Sequence, residues 1–170
     1  MDLFEAVEKR RSIRKYKSDP IPEKDLRRIL EAARLAPSGG NRQPWFFIVA
    51  RDPERKKALA TASNLQHFMA DADTIVVALG DPGTSRSLHK QDPMIAVEHM
   101  ILAAAALGYG TCWIGAFNEE GVKKVVKVPE NLVVVALLPI GVPNESPPPR
   151  SRKAFKEIFF EEVYGKPLEM

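Results

Sequence analysis

Apolar residues recur along the chain in two rhythms, one helical and one strand-like, and together they lay out an alternating series of elements. Leu3, Phe4, Ala6 and Val7 give one face to a helix that Asp2 can cap and that runs to about Arg11. After Asp19-Pro20-Ile21-Pro22, a second helix from about Glu23 to Leu35 turns Leu26, Ile29, Leu30 and Ala33 inward. Pro37-Ser38-Gly39-Gly40-Asn41 stops it, because Pro and Gly continue a helix only at a cost. Trp45 to Ala50 and Thr74 to Leu79 are continuous apolar runs that predict buried strands, with a helix over residues 53–62 between them. A long helix follows from about Asp92 to Leu107. Its second half, from Met100, is apolar on nearly every side, which predicts burial in the core or against a partner chain. Gly108 and Gly110 end it. Thr111 to Ala116 reads as a third strand, Glu119 to Lys127 as an amphipathic helix and Leu132 to Val142 as a fourth strand. Pro147-Pro148-Pro149 cannot join a sheet and predicts an extended crossing segment. Residues 153–164 are amphipathic and predict a helix or an added strand. No repeat and no internal boundary interrupts this pattern. It predicts one α+β domain over residues 1–170, with a central mixed β-sheet flanked by helices.

Composition narrows the functional classes. Hydrophobic residues make up 45% and charged residues 28% of the 170, the balance of a soluble globular chain. No apolar run approaches the ~20 residues that span a bilayer, and the start lacks a basic segment followed by an apolar one. A cytoplasmic location with no membrane partner is expected. Cys112 is the only cysteine, which excludes an internal disulfide. His67, His89 and His99 show no metal-ligand spacing, so no protein-bound metal is expected.

Three islands hold residues suited to chemistry. Six of the nine residues from Lys9 to Lys17 are basic. With a helix ending there, Arg10 and Arg14 lie about one turn apart and can converge on one ligand. The planar guanidinium fork suits phosphate, and Ser12 adds a hydroxyl donor. The same run reads equally as a solvated basic turn. It also reads as a nucleic-acid arm, although stacking aromatics are nearly absent from it. The second island, Ala36 to Trp45, is a loop of small residues and amides. Its backbone can approach a planar ligand, and Asn41 and Gln43 offer both donors and acceptors to a ring edge. It reads otherwise as an ordinary helix stop, with Trp45 in the core. The third, Gly108 to Phe117, places Gly115 at the end of an apolar strand, where glycine often marks a close approach. Cys112 reads as a small buried hydrophobe.

Arg10-Arg11-Ser12-Ile13-Arg14, the Pro-Ser-x-x-Asn-x-Gln-Pro-Trp pattern within Ala36 to Trp45, and Gly-Thr-Cys-Trp-Ile-Gly at 110–115 occur in that order. In this the chain resembles the FMN-dependent nitroreductase family, in its short branch. The resemblance implies a homodimer with flavin at the interface. Arg10 and Ser12 would hold the FMN phosphate with Arg11 beside them, and Arg14 would lie near flavin N1 and O2. Pro37, Ser38, Gly39 and Asn41 would reach the flavin from the other subunit, with Gln43 nearby. The backbone N–H of Ile114 or Gly115 would face flavin N5. Arg150, Arg152 and Lys153 would complete the phosphate site. Larger members often place a lysine near flavin O2. The matching stretch here, Asn64 to Met69, has none, and Gln66 could donate instead. The implied reaction is a ping-pong transfer of hydride through N5, from NADH or NADPH to nitroaromatics, quinones or similar acceptors. The protein supplies position and charge, and no side-chain acid or base is strictly required. The same scaffold suits dehalogenation, dehydrogenation or flavin fragmentation. A phosphate-ligand or nucleic-acid-binding module is the rival from outside the enzymes.

Overall fold

Asp2 caps the first helix, α1 (Leu3–Lys9). Its carboxylate accepts from the Glu5 N–H at 2.9 Å, and the Glu5 carboxylate accepts from the Asp2 N–H at 3.1 Å. This reciprocal box satisfies two donors that the first turn leaves free. The helix stops at Lys9, short of the predicted Arg11, because the next residues pair with the sheet. The computed structural model describes residues 1–64 and 66–169. Four longer helices follow α1: α2 (Glu23–Arg34), α3 (Pro53–Ala62), α4 (Gln91–Ala106) and α5 (Glu119–Val126). The strands are β1 (Trp45–Ala50), β2 (Thr74–Gly80), β3 (Gly110–Thr111) and β4 (Val133–Gly141).

The strands form one sheet in the order β1-β2-β4-β3, and every pair of named strands is antiparallel. A mixed sheet was expected, and the sheet is antiparallel; among the described residues one isolated parallel bridge, Ser12 to Thr111, lies at the β3 edge. In β2, where every residue is buried, the period-two alternation divides the side chains between two cores. Ile75, Val77 and Leu79 pack with Leu59 of α3 and Val122 and Val126 of α5. Val76 and Ala78 pack on the other face with Ile29 of α2 and Val97, Met100 and Ala104 of α4. The molecule is therefore three layers deep, helices on both faces of the sheet.

Three further sequence expectations change. Trp45–Ala50 is a strand, but an edge one, with Phe46 53% exposed, because only β2 lies beside it. The third strand shrinks to Gly110–Thr111, followed by one bridge from Ile114 to Leu137. Residues 153–164 form neither a long helix nor a sheet strand: a short turn covers Phe155–Glu157, and Phe160 bridges Pro167. Their apolar side chains stay largely uncovered, so local pairing has no layer to build on.

The apolar half of α4 is largely covered by its own chain. Met100, Ile101 and Ala104 are buried, and Leu102, Ala103 and Ala105–Leu107 are half-buried. The uncovered apolar surface lies elsewhere. On α1, Leu3, Phe4 and Val7 are 60%, 83% and 56% exposed. In the tail Phe155, Ile158, Phe159, Val163 and Tyr164 are exposed as well. Among the described residues no helix is long and apolar enough to cross a membrane.

Candidate active site

The basic segment is seated by the β3 edge. Ile13 donates its N–H to the Thr111 carbonyl at 2.9 Å, and its buried side chain lies on Gly110. A Cβ on Gly110 would stand 2.7 Å from Ile13 Cγ1, so this glycine is what lets the segment dock. Further along, the Lys17 N–H donates to Val142 O at 2.9 Å and the Asn144 N–H to Lys15 O at 2.9 Å. The Glu145 carboxylate accepts from the backbone N–H groups of Arg14 at 2.5 Å and Lys15 at 3.2 Å. Arg10 and Arg14 thus reach one place along an extended, pinned segment, and not along one helical turn as their spacing suggested.

Between this segment and the proline run lies a cavity of about 400 Å³. Arg10, Arg11, Ser12 and Arg14 line one side, and Pro147–Pro149, Arg150 and Arg152 the other. Glu8 is the single carboxylate in the lining. None of the five arginines forms an ion pair among the described residues. Two of them are engaged with backbone: Arg11 Nη1 donates to the Glu8 carbonyl at 2.7 Å and to the Arg10 carbonyl at 2.8 Å, and Arg152 Nη1 donates to the Ser151 carbonyl at 3.3 Å; Arg11 acts at the end of a helix. It closes the end of α1 and stiffens the turn that presents Arg10. Lys153 is exposed and does not line the cavity, whereas Arg150 and Arg152 both do.

Cys112 lies next to this cluster and is 3% exposed. Burial pushes its thiol upward in pKa, while Arg14, the Ser12 hydroxyl and Arg10 pull the other way. It is a buried packing residue, as expected. Beyond it the chain alternates, with Ile114 buried and Trp113 and Gly115 exposed. The Ile114 N–H donates to Leu137 O at 2.9 Å, so of the two candidate donors only Gly115 keeps its N–H without a backbone acceptor among the described residues. The Trp113 indole lies over Gly115, where a Cβ would stand 2.2 Å from the ring. A side chain at Gly115 would require the exposed Trp113 indole to move aside.

Gln66 does not offer its amide hydrogens outward. Its Nε2 donates to Ser63 O at 2.9 Å and Ala116 O at 3.1 Å, tying the segment after Gly115 to the end of α3. The neighbouring Leu65 lies outside the described residues. In the second island, Gly40, Asn41 and Gln43 have positive φ of 58°, 53° and 51°. The Gln43 N–H donates to Ser38 Oγ at 2.9 Å, and the Gly39 N–H to Asp92 Oδ2 at 3.1 Å. None of Pro37, Ser38, Gly39, Asn41 and Gln43 lines the arginine cavity of its own chain. Sequence reasoning passed over Glu145 and Asp92. Both act on backbone far away in the chain, and nothing local marks such a carboxylate. Among the described residues no cluster of His, Cys, Asp and Glu is able to hold a metal ion.

The Nitroreductase family model matches residues 7–66 and 61–142, which take in the arginine segment, the amide loop and the Gly115 strand end. The chain belongs to the nitroreductase family. As a family member it is an oxidoreductase. An Archaeoglobus fulgidus protein named as an NADH dehydrogenase/NAD(P)H nitroreductase is 36% identical over 151 residues, spanning 85% of this chain and 87% of its own length. A Thermus thermophilus protein named NADH dehydrogenase is 30% identical over 194 residues, spanning 93% and 95%. Among solved structures, a nitroreductase family protein of Clostridium novyi NT superposes with a TM-score of 0.81 at 35% identity, covering 98% of this chain and 97% of the other. An FMN-dependent nitroreductase of Clostridium difficile R20291 superposes with a TM-score of 0.86 at 28% identity, covering 94% and 99%. The nitroreductase fold therefore extends over nearly the whole chain.

Proposed function

We propose that this chain is one FMN-binding domain that works as a homodimeric NAD(P)H oxidoreductase toward nitroaromatics, quinones or related electron-poor acceptors. The observation that carries this reading is the arginine cavity. Five guanidinium groups that share their lining with a single carboxylate, Glu8, and form no ion pair among the described residues repel one another and are relieved by a bound anion. The fork geometry and the nearby Ser12 hydroxyl suit a phosphate monoester, which is the terminal group of FMN. The names of the Clostridium difficile structure and of the curated relatives, which mention FMN and NAD(P)H, agree with it.

Arg10, Ser12, Arg150 and Arg152 would hold the phosphate, with Arg11 bracing the turn. When bound, FMN supplies the two-electron chemistry between a reduced nicotinamide and the acceptor. Arg14 brings a fixed positive charge to the same region and would stabilise negative charge on the flavin ring edge. The Gly115 N–H would orient ligands at flavin N5. Gln66 would hold the backbone around Gly115 in place and make no flavin contact of its own. Pro37, Ser38, Gly39, Asn41 and Gln43, which do not reach the cavity of their own chain, would meet the flavin of the partner. The exposed apolar face of α1 and the tail would cover each other across that interface.

Protein incubated with FMN and freed of excess by gel filtration is expected to be yellow, with about one flavin per chain. A colourless protein that instead binds nucleic acid, more weakly as salt rises, would replace this reading with the nucleic-acid one.

A further inference from the structure

Asp92 sits in the first turn of α4 and is 4% exposed. No cation pairs with it among the described residues. Burying a carboxylate without a cation is costly unless hydrogen bonds and a helix N-terminus compensate. Its Oδ2 accepts from the Gly39 N–H, 53 positions earlier in the chain, at 3.1 Å. The Asp92 N–H in turn donates to Leu88 O at 2.9 Å. Leu88 forms the floor beneath Gly39, where an added Cβ would stand 2.4 Å from Leu88 Cδ1. Gly39 thus packs against the Leu88 side chain and is hydrogen-bonded to the Asp92 carboxylate. The loop it opens places Asn41 and Gln43, neither a glycine, in the left-handed region at φ 53° and 51°. Such backbone persists only where its surroundings over-determine it, and it recurs at ligand clamps. Within the loop, Ser38 Oγ accepts from the Gln43 N–H, Ser38 O from the Asn41 N–H at 2.9 Å, and Asn41 O from Gln43 Nε2 at 3.2 Å, while the Asp92–Gly39 bond ties the loop to α4.

We infer that Asp92 is a positioning residue whose buried carboxylate presets the Ser38–Gln43 loop, so that its exposed amides meet the flavin already arranged. The inference rests on the proposed FMN function, and it assigns to Asp92 no contact with the flavin itself. Asp92→Ala leaves the Gly39 donor without its partner and releases the loop. Preorganisation is then lost, and FMN has to order the loop as it binds. Asp92→Asn retains an acceptor oxygen of nearly the same shape.

FMN affinity is measured by fluorescence titration of the three proteins, each checked by thermal melting. D92A is expected to bind FMN at least about tenfold more weakly than wild type, and D92N within about threefold of it. D92A binding as tightly as wild type would overturn the inference. So would D92N as impaired as D92A at a wild-type melting temperature. Wild-type protein that fails to bind FMN would instead overturn the proposed function. Should D92A not fold, amide hydrogen exchange in the wild-type protein decides. The Gly39 amide is expected to exchange more slowly than that of Gly40, and equal rates would overturn the inference.

Discussion

Arg10→Ala is expected to weaken FMN binding by roughly ten- to more than a hundredfold, the loss of one charge-assisted hydrogen bond worth about 1.5–3 kcal/mol. Arg10 is suited to this effect because its backbone is fixed. Its N–H donates to Ala6 O at 2.9 Å as the cap of α1, and its carbonyl accepts from Arg11 Nη1 at 2.8 Å. Little backbone entropy remains to be lost when a phosphate arrives, and the side chain alone has to be ordered. Four other arginines line the cavity, so the variant keeps part of its affinity. Arg10→Lys keeps the charge but not the planar fork and is expected to fall between the two. A fluorescence titration of all three proteins gives the comparison. Equal affinities would remove Arg10 from the phosphate site.

Phe4→Glu is expected to abolish the dimer and the bound flavin together. Phe4 is 83% exposed on α1 and is flanked by Leu3 and Val7, an apolar face that the described residues leave largely uncovered. An unpaired carboxylate buried at such a contact costs about 3–5 kcal/mol, which raises the dimer dissociation constant by more than about a hundredfold. Residues 37–43 would then be missing from the partner's flavin site. The fold itself should survive, since within α1 only Ala6 is buried. Sedimentation of the wild type is expected to show a dimer, and of the variant a monomer without flavin. A variant that remains a dimer with full flavin occupancy would place the interface elsewhere.

Much of the fold was legible because its core obeys simple periods. β2 is buried along its whole length and reads as an unbroken apolar run, and α2 shows its inward Leu26, Ile29 and Ala33 at helical spacing. Edges were harder to read. Trp45–Ala50 carries the composition of a central strand, yet pairs on one side only, because composition does not say how many neighbours a strand has. The tail has helical amphipathicity without a helix. Its apolar residues are exposed, and amphipathic spacing alone does not supply the layer that a helix or strand would pack on.

The candidate site divides in the same way. The arginine run is a local signal, and its residues do converge, joined by Arg150 and Arg152 from the far end of the chain. The choice between Ile114 and Gly115 needed the bridge to Leu137, a tertiary fact. Gln66 looked like a free donor because a sequence does not show which amides are already engaged. Asp92 served in the sequence only to mark the approximate start of the long helix, because its bond to Gly39 joins positions 53 residues apart and nothing local marks it.

Binding of FMN and passage of electrons from a reduced nicotinamide to an electron-poor acceptor are tested most directly by anaerobic spectroscopy of the FMN-loaded protein. The visible flavin absorption is expected to bleach on addition of NADH or NADPH, and to return when a nitroaromatic or a quinone follows. Bound FMN whose oxidised spectrum persists with both nicotinamides would contradict the account.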